Sequence, residues 1–131
     1  MNIDDKTYFE RFDTTTINRQ DKEHFLHPFQ VFDVFSEEGA LPIAAARDAY
    51  IYDSDGRKYL DAVGGLWCTN IGLGREEMAD AIADQVRQMA YASPFVDMTN
   101  IPAAQLSAKL AELAPGDLNH VALSCGGSTA I

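Results

Sequence analysis

The end of the sequence carries the residues whose types and spacing point most directly to chemistry. Gly126 and Gly127 follow an apolar run and precede Ser128, Thr129 and Ala130, which are suitable first residues of a helix. Glycines let backbone N–H groups converge without a Cβ in the way, and the free N–H groups of a helix start carry positive potential. The Ser128 and Thr129 hydroxyls could add donors. The pattern predicts a binding site for a phosphate.

An ordinary strand-to-helix turn is the alternative interpretation of these residues, because Gly and Ser are common in turns for conformational reasons alone. The sequence GGST matches neither the dinucleotide-binding pattern nor the P-loop pattern. Both interpretations stay open on the residues alone. A chain that ended at Ile131 would leave the helix start at Ser128, Thr129 and Ala130 without its helix, so we expect the natural polypeptide to continue.

Four aromatic residues on or beside predicted loops could wall a substrate pocket. Aromatic side chains are more often part of a core, so patterning alone favours the core and leaves the pocket as the alternative. The four are Phe29, Trp67, Tyr91 and Phe95.

Other reactive residue types give no site pattern. Asp53 and Asp55 precede a glycine, but a calcium loop needs a third ligand before that glycine and a closing Glu, and both are missing. His24 and His27 lack a third metal ligand at sensible spacing. No paired histidine activates Cys125, so we expect a packed thiol there and no metal site in the chain.

The elements that must position these residues follow from local patterns. Residues 1–20 are polar and mixed, which favours an arm that is ordered only if it packs on something else. Asp21 is the predicted cap of a short helix through about Phe25, which Pro28 stops. Short strands are predicted over 42–61, with a hairpin turn after Asp53.

Two amphipathic helices and a strand are predicted downstream. An apolar stripe at helical spacing marks the first helix, and Asn100 is the predicted cap of a second helix from about Ile101 to Ala114. The run HVALSC predicts a short buried strand. This order indicates an α/β domain that is just beginning. The stripe consists of Met78, Ile82, Val86 and Met89.

Length and charge restrict the class of protein. The 131 residues fit one ordinary domain, and two cysteines far apart favour reduced thiols. The formal net charge is −10, with 20 acidic and 10 basic side chains, which disfavours nucleic acid and membranes as partners. The sequence contains no apolar stretch long enough for a bilayer, so we expect a cytoplasmic protein.

Three segments, in the right order, resemble the class III (omega) aminotransferases. HFLHPF is similar to the family's HHLHPF, and DAYIYDSDGRKYLDAVGGLWCTNIGLGR to its strand–turn–strand and Gly-Leu-Trp-Cys loop. NIPAAQLSAKLAELAPGDLNHVALSCGGSTA resembles the helix and strand before a phosphate loop that usually reads SGSEA. The resemblance runs from about His24 to Ile131.

The resemblance implies a pyridoxal-phosphate-dependent transferase of fold type I, the aspartate aminotransferase-like α/β fold, assembled as a homodimer or higher homo-oligomer. It divides the chain into an arm (1–20), the N-terminal part of the small domain (21–71) and the start of the large cofactor-binding domain (72–131). The implied reaction moves an amino group from an amine or omega-amino acid to a 2-oxo acid, with pyruvate expected.

The resemblance also implies site residues. Pyridoxal 5'-phosphate would be held through Gly126, Gly127 and Ser128. Substrate would meet Phe29, Trp67 and Phe95, with Phe29 reaching the neighbouring subunit's site. Three departures from the family pattern are Pro94 where an aromatic is frequent, Gly126 where Ser is common, and Thr129 where Glu is common.

No catalytic residue can be named. In the family a Schiff-base lysine and an aspartate at the pyridine nitrogen perform the chemistry, and both are expected beyond residue 131. This segment alone is therefore expected to be inactive. A mutase or decarboxylase of the same fold, or a non-catalytic globular fragment, are the alternative functions.

Overall fold

The computed structural model describes residue 3 and residues 5–131. The chain separates into two compact units, Met1–Asp80 and Ala81–Ile131. The first unit contains a sheet, a 3-10 helix, two α-helices, a short helical turn and the start of a further helix. The second contains helices joined by irregular segments. Together they form a mixed α/β segment.

The sheet of the first unit has three antiparallel strands in the order β1-β2-β3. Strand β1 is Ile43–Arg47, β2 is Tyr50–Asp53 and β3 is Lys58–Leu60. Ile51 of β2 lies opposite Ala46 on one side and Tyr59 on the other. The short strands predicted over 42–61 are therefore confirmed.

A tight turn joins β2 to β3, as predicted. The Gly56 amide donates to the Asp53 carbonyl at 3.0 Å, and Gly56 has φ +81°. A Cβ at this position would lie 3.0 Å from a ring carbon of Phe9. Both the conformation and the close approach require glycine.

The carboxylate of Asp53 organises this turn from inside, with the residue only 1% exposed. It accepts hydrogen bonds from the Arg57 amide at 2.8 Å, the Tyr59 hydroxyl at 2.9 Å and the Asp55 amide at 3.0 Å. Burial raises the pKa of Asp53, but these bonds outweigh burial and leave the pKa below its ordinary value. The turn therefore needs an aspartate at position 53 to accept the hydrogen bonds of its own donors, which explains this part of the Asp-Ser-Asp-Gly sequence.

The first helices begin earlier than the sequence patterns predict. A 3-10 helix covers Lys6–Arg11, and α1 is Thr14–His24. Asp13 caps α1, since its carboxylate accepts the Thr16 amide at 3.1 Å. The prediction of a helix capped by Asp21 is wrong. Threonine has a low helix propensity, but in a first turn its hydroxyl can bond the capping carboxylate, as that of Thr16 does at 2.7 Å.

The segment that leads into α1, together with the first residue of α1, packs on the hairpin. The ring of Phe9 stacks on Tyr52 with centroids 6.2 Å apart. The Thr14 hydroxyl lies 2.7 Å from the Ser54 hydroxyl and donates to an Asp55 carboxylate oxygen at 3.0 Å. These contacts tie residues within the predicted arm to the sheet.

Helix α2, Phe32–Glu38, is tied to the end of α1. The Lys22 ammonium donates to the carbonyls of Ser36 and Glu37, each at 3.0 Å. A cation at the last carbonyls of a helix satisfies free acceptors and is favoured by the helix dipole. Phe35 of α2 is buried.

Four further helical segments follow the sheet. They are α3 (Gly64–Trp67), which is a single turn with positive φ throughout, α4 (Glu76–Gln88), α5 (Ile101–Leu113) and α6 (Gly127–Ala130). The predicted cap of α5 is confirmed, because the Asn100 side chain accepts the Ala103 amide at 2.9 Å. No helix among the described residues is both long and apolar enough to cross a membrane.

The apolar faces of α4 and α5 are uncovered. In residues 81–131, all of which the structure describes, no side chain is buried. Amphipathic helices in globular proteins normally bury such a face. The exposed apolar side chains of these helices include Ile82, Val86, Leu106, Leu110 and Leu113.

The strand predicted for HVALSC is not formed, and Leu123 within it is exposed. A strand needs a neighbour to pair its backbone groups. Among the described residues, the three strands pair only with one another. The apolar run is therefore irregular chain without a sheet partner.

We predict that Asp53→Ala loosens the hairpin, because it leaves the donors of Asp55, Arg57 and Tyr59 without an acceptor. The local opening free energy is expected to fall by about 2–4 kcal/mol. Amide hydrogen exchange of residues 50–60 in the complete protein measures it. Asp84→Ala, at an exposed helix position, is the control, and equal exchange in both variants would contradict the prediction.

Acid should weaken the same hairpin. A carboxylate with a depressed folded pKa contributes its full stabilisation above the unfolded pKa, about 3.9, and loses it as the pH falls through the folded value. The free energy of local opening is obtained from amide exchange rates after correction for the pH dependence of intrinsic exchange. It should fall in acid for the wild type and change less in Asp53→Asn. Identical pH profiles would show that Asp53 is not the group responsible.

Candidate functional site

The glycine loop presents free backbone donors. Gly126 is extended, with φ 177° and ψ 164°, and α6 begins directly after it, as predicted. Within the described part of the chain, no acceptor lies at the amides of Gly126, Gly127 or Ser128. Three neighbouring N–H groups are therefore available to a ligand.

Hydrogen bonds to the Gly126 carbonyl fix the direction of the Gly127 amide. It accepts the Thr129 hydroxyl at 2.7 Å, the Thr129 amide at 3.1 Å and the Ser124 hydroxyl at 3.3 Å. In a planar trans peptide the C=O and the following N–H point in opposite directions. Because the chain holds the carbonyl, the Gly127 amide is turned away from the chain.

Two expectations about this loop need correction. The Thr129 hydroxyl was expected as an anion donor, but its proton is committed to the Gly126 carbonyl. Cys125 was expected to be packed, yet it is exposed, with its sulfur 3.7 Å from the Thr129 hydroxyl oxygen. The residues Ser124 to Thr129 are too exposed to bury a thiol.

The loop has room for an oxyanion. A Cβ built at Gly126 or Gly127 would meet no atom within 4 Å. The Ser128 hydroxyl donates to no atom among the described residues, so it can add a fourth donor. Free amides, a free hydroxyl and open space fit a phosphate group. In the same described range, no group of three or more His, Cys, Asp or Glu is arranged to hold a metal ion.

None of the four loop aromatics lies in the core of either unit. Trp67 is 81% exposed, Phe95 is 75% exposed and Phe29 is fully exposed; Tyr91 is exposed as well. The core interpretation is therefore wrong for the described chain. Phe29 and Trp67 lie on separate segments of the first unit, and no ring contact joins them among the described residues. Phe95 belongs to the second unit, as does the glycine loop.

Backbone strain concentrates at these aromatics. Among the described residues, five that are not glycine have positive φ, and four of them are a loop aromatic or its neighbour. A left-handed conformation costs a residue with a Cβ about 1–2 kcal/mol. Such outliers persist where the surroundings enforce them, often at functional sites. The five are Phe29, Asp48, Leu66, Trp67 and Val96.

Trp67 ends a left-handed turn formed by Gly64–Trp67. The turn closes through the Trp67 amide, which donates to the Val63 carbonyl at 2.9 Å, and the Cys68 amide, which donates to the Gly64 carbonyl at 2.9 Å. The carboxylate of Asp61 accepts the Gly65 amide at 2.8 Å. Sequence patterns identified the glycines and the tryptophan but missed Asp61, although an aspartate shortly before paired glycines was a usable signal.

The other end of this glycine-rich loop is fixed to the sheet. Asp48 and Leu73 exchange both backbone hydrogen bonds, at 2.8 and 2.9 Å. A Cβ at Gly74 would lie 2.8 Å from the Ala46 carbonyl oxygen. The hydrogen bond with Glu77 and its charge raise the pKa of the neighbouring Arg75. The loop that carries Trp67 is thus anchored on both sides.

Phe29 lies two residues after His27, whose ring contacts Asp21 and two phenylalanines. The His27 ring nitrogen Nε2 lies 3.0 and 3.1 Å from the two Asp21 carboxylate oxygens. The same ring meets Phe25 at 4.5 Å and Phe35 at 4.9 Å between centroids, both edge to face. His27 therefore belongs to a structural His–Asp pair, in which His24 takes no part.

Comparison with known proteins adds to this geometry. The family Aminotransferase class-III matches residues 33–131. The putrescine–pyruvate aminotransferase of Pseudomonas aeruginosa is 39% identical over 109 residues, which are 83% of this chain and 24% of that protein.

Solved structures of omega-transaminases superimpose on this chain. An (S)-enantioselective omega-transaminase from Thermomicrobium roseum superimposes with a TM-score of 0.85 at 34% identity, covering 89% of this chain and 26% of that one. The omega transaminase from Pseudomonas jessenii in complex with PMP gives 0.82 at 28% identity, covering 87% and 25%.

The chain spans about a quarter of the length of these relatives. The resemblance seen in its ordered motifs is confirmed by the matched family, and its backbone follows the same course as solved omega-transaminases. The chain belongs to the class-III aminotransferase family.

Proposed function

We propose that the complete protein is a pyridoxal-phosphate-dependent transaminase that moves an amino group from an amine or omega-amino acid to a 2-oxo acid, with pyruvate as acceptor. The observation that carries the proposal is the set of unpartnered amides at Gly126, Gly127 and Ser128 beside open space. Membership of the family supports the reaction, and the putrescine–pyruvate relative supports a diamine donor.

The phosphate of the cofactor would be held by local geometry. The chain has a formal net charge of −10, so overall electrostatics oppose an anion. The three amides and the Ser128 hydroxyl would bind the phosphate oxygens, while Thr129 and Ser124 keep the Gly126 carbonyl out of the way. Preoriented donors need little reorganisation on binding, which raises affinity.

The cofactor, when bound, supplies an electron sink for the carbon that carries the amino group. The residues of this chain would position and enclose the reactants. Phe29, Trp67 and Phe95 would line the substrate side and exclude water, with Phe29 reaching the site of a second subunit. The Schiff-base lysine and the partner of the pyridine nitrogen would come from outside residues 1–131.

The proposed assembly is a homodimer of fold type I in a cytoplasmic setting. Residues 1–20 would act as an arm, 21–71 as part of the small domain and 72–131 as the start of the large domain. The uncovered apolar faces of α4 and α5 support the addition of further protein surface in the complete molecule.

The reaction class is tested on the complete protein with putrescine and pyruvate. We expect formation of alanine in equal amount to the donor consumed, and no alanine without added or retained pyridoxal phosphate. In parallel assays with an amino acid as substrate and no pyruvate, release of carbon dioxide or isomerisation of the amino acid would favour a decarboxylase or mutase instead. The absence of any cofactor-dependent turnover would favour a non-catalytic protein.

The phosphate loop is tested by removing one hydroxyl at a time. Ser128→Ala removes a donor to the phosphate, and Thr129→Val removes the bond that fixes the Gly126 carbonyl. Each change is expected to raise the dissociation constant of pyridoxal phosphate about three- to tenfold, as for the loss of one hydrogen bond. Equilibrium dialysis of the complete protein measures the constant.

Thr99→Val provides the matched control, because Thr99 is exposed and lies outside the loop. It should leave the dissociation constant unchanged. If Ser128→Ala and Thr129→Val also leave it unchanged, the loop does not hold the phosphate.

A further inference from the structure

Trp67 combines an unfavourable backbone with an uncovered side chain. Its φ is +63°, and the preceding Leu66 has φ +67°. Trp67 is the only tryptophan of the chain, and it is 81% exposed. Core packing therefore does not explain why the left-handed turn is maintained at this residue. Contacts of the backbone must do so.

Asp61 supplies those contacts at the start of the turn. Its carbonyl accepts the Gly64 amide at 3.2 Å, and its carboxylate accepts the Gly65 amide at 2.8 Å. Its own amide donates to the Ala49 carbonyl at 2.9 Å, next to the sheet. Asp61 thus connects the sheet to the first two residues of the turn.

The other contacts of the turn restrict its conformation but do not connect it to the sheet. A Cβ at Gly65 would lie 2.7 Å from a methyl carbon of Thr69 and 3.3 Å from the Cys68 sulfur. The Cys68 thiol donates to the Gly65 carbonyl at 2.7 Å. These groups all lie within the loop itself, whereas Asp61 is anchored outside it.

We propose that Asp61 is a positioning residue for Trp67 and thereby sets the size of the amine donor that the enzyme accepts. The proposal rests on the transaminase function proposed above. The carboxylate fixes the Gly65 peptide, the Gly65 peptide fixes the handedness of the turn, and the turn fixes the direction in which the indole projects. Loss of the carboxylate releases the turn, and the indole no longer limits one side of the pocket.

The kinetic test compares two amines in the complete holoenzyme, putrescine and a bulky aryl-alkyl amine, with pyruvate as the common acceptor. Asp61→Ala should shift the ratio of their kcat/KM values about tenfold toward the bulky amine, in the same direction as Trp67→Ala. The KM for the amine should change, and the KM for pyruvate and the cofactor content should not. Asp61→Asn keeps an oxygen acceptor and should stay within about twofold of the wild type.

Fluorine NMR gives a readout that does not depend on turnover. The complete protein is labelled with 5-fluorotryptophan, and the resonance of residue 67 is identified by its loss in Trp67→Phe. Asp61→Ala should shift or broaden this resonance, and Asp61→Asn should restore it. Asp80→Ala removes an exposed aspartate outside the turn and should leave it unchanged. Asp61→Glu, which keeps the charge but displaces the carboxylate, should give an intermediate shift if Asp61→Ala does not fold.

An unchanged Trp67 resonance in Asp61→Ala, or in Asp61→Glu, would overturn the positioning role. An unchanged donor ratio in Asp61→Ala, where Trp67→Ala does change it, would overturn the role in selectivity while the transaminase function stands. A wild-type protein without transaminase activity would overturn the proposed function and with it the role in selectivity. The fluorine resonance would still decide whether Asp61 positions Trp67.

Discussion

The desolvated carboxylate of Asp53 is the interaction on which the N-terminal unit depends. A buried charge is costly unless donors surround it, and here the hairpin supplies two amides and a hydroxyl. The turn that results places Ser54 and Gly56 where the N-terminal segment docks through Thr14 and Phe9. It also fixes β3, whose continuation begins the loop that carries Trp67.

The turn Gly64–Trp67 of the first unit and the glycine loop of the second unit each contain a peptide group whose direction is fixed by side chains. Asp61 holds the Gly65 amide, and the hydroxyls of Ser124 and Thr129 hold the Gly126 carbonyl. In each case a polar side chain determines what the neighbouring residues present to a ligand. Trp67 is displayed by this kind of local constraint, with left-handed backbone at Leu66 and Trp67.

Local patterns predicted the elements that depend on near neighbours in sequence. The turn at Gly56, the cap at Asn100 and the helix start after Gly126 follow from residue types within a few positions. The strand over HVALSC was predicted wrongly, because a strand requires a partner that local sequence does not supply. The cap at Asp13 was missed, since the threonines after it disfavour helix on propensity alone.

The roles of Asp61 and Thr129 could not be predicted from the sequence. Both depend on the angle of a single peptide plane, and sequence spacing indicates only that a polar residue lies nearby. Residue types located the glycine loop and the aromatic positions, and the resemblance to the class-III aminotransferases implied their roles. The direction of the amides follows only from the hydrogen bonds.

A crystal structure of the complete protein with pyridoxal phosphate would show whether the three amides of the glycine loop bind the phosphate. We expect phosphate oxygens within about 3.2 Å of the nitrogens of Gly126, Gly127 and Ser128, with the Gly126 carbonyl still bonded to Thr129. A cofactor phosphate bound elsewhere, with these amides against apolar side chains, would contradict this expectation.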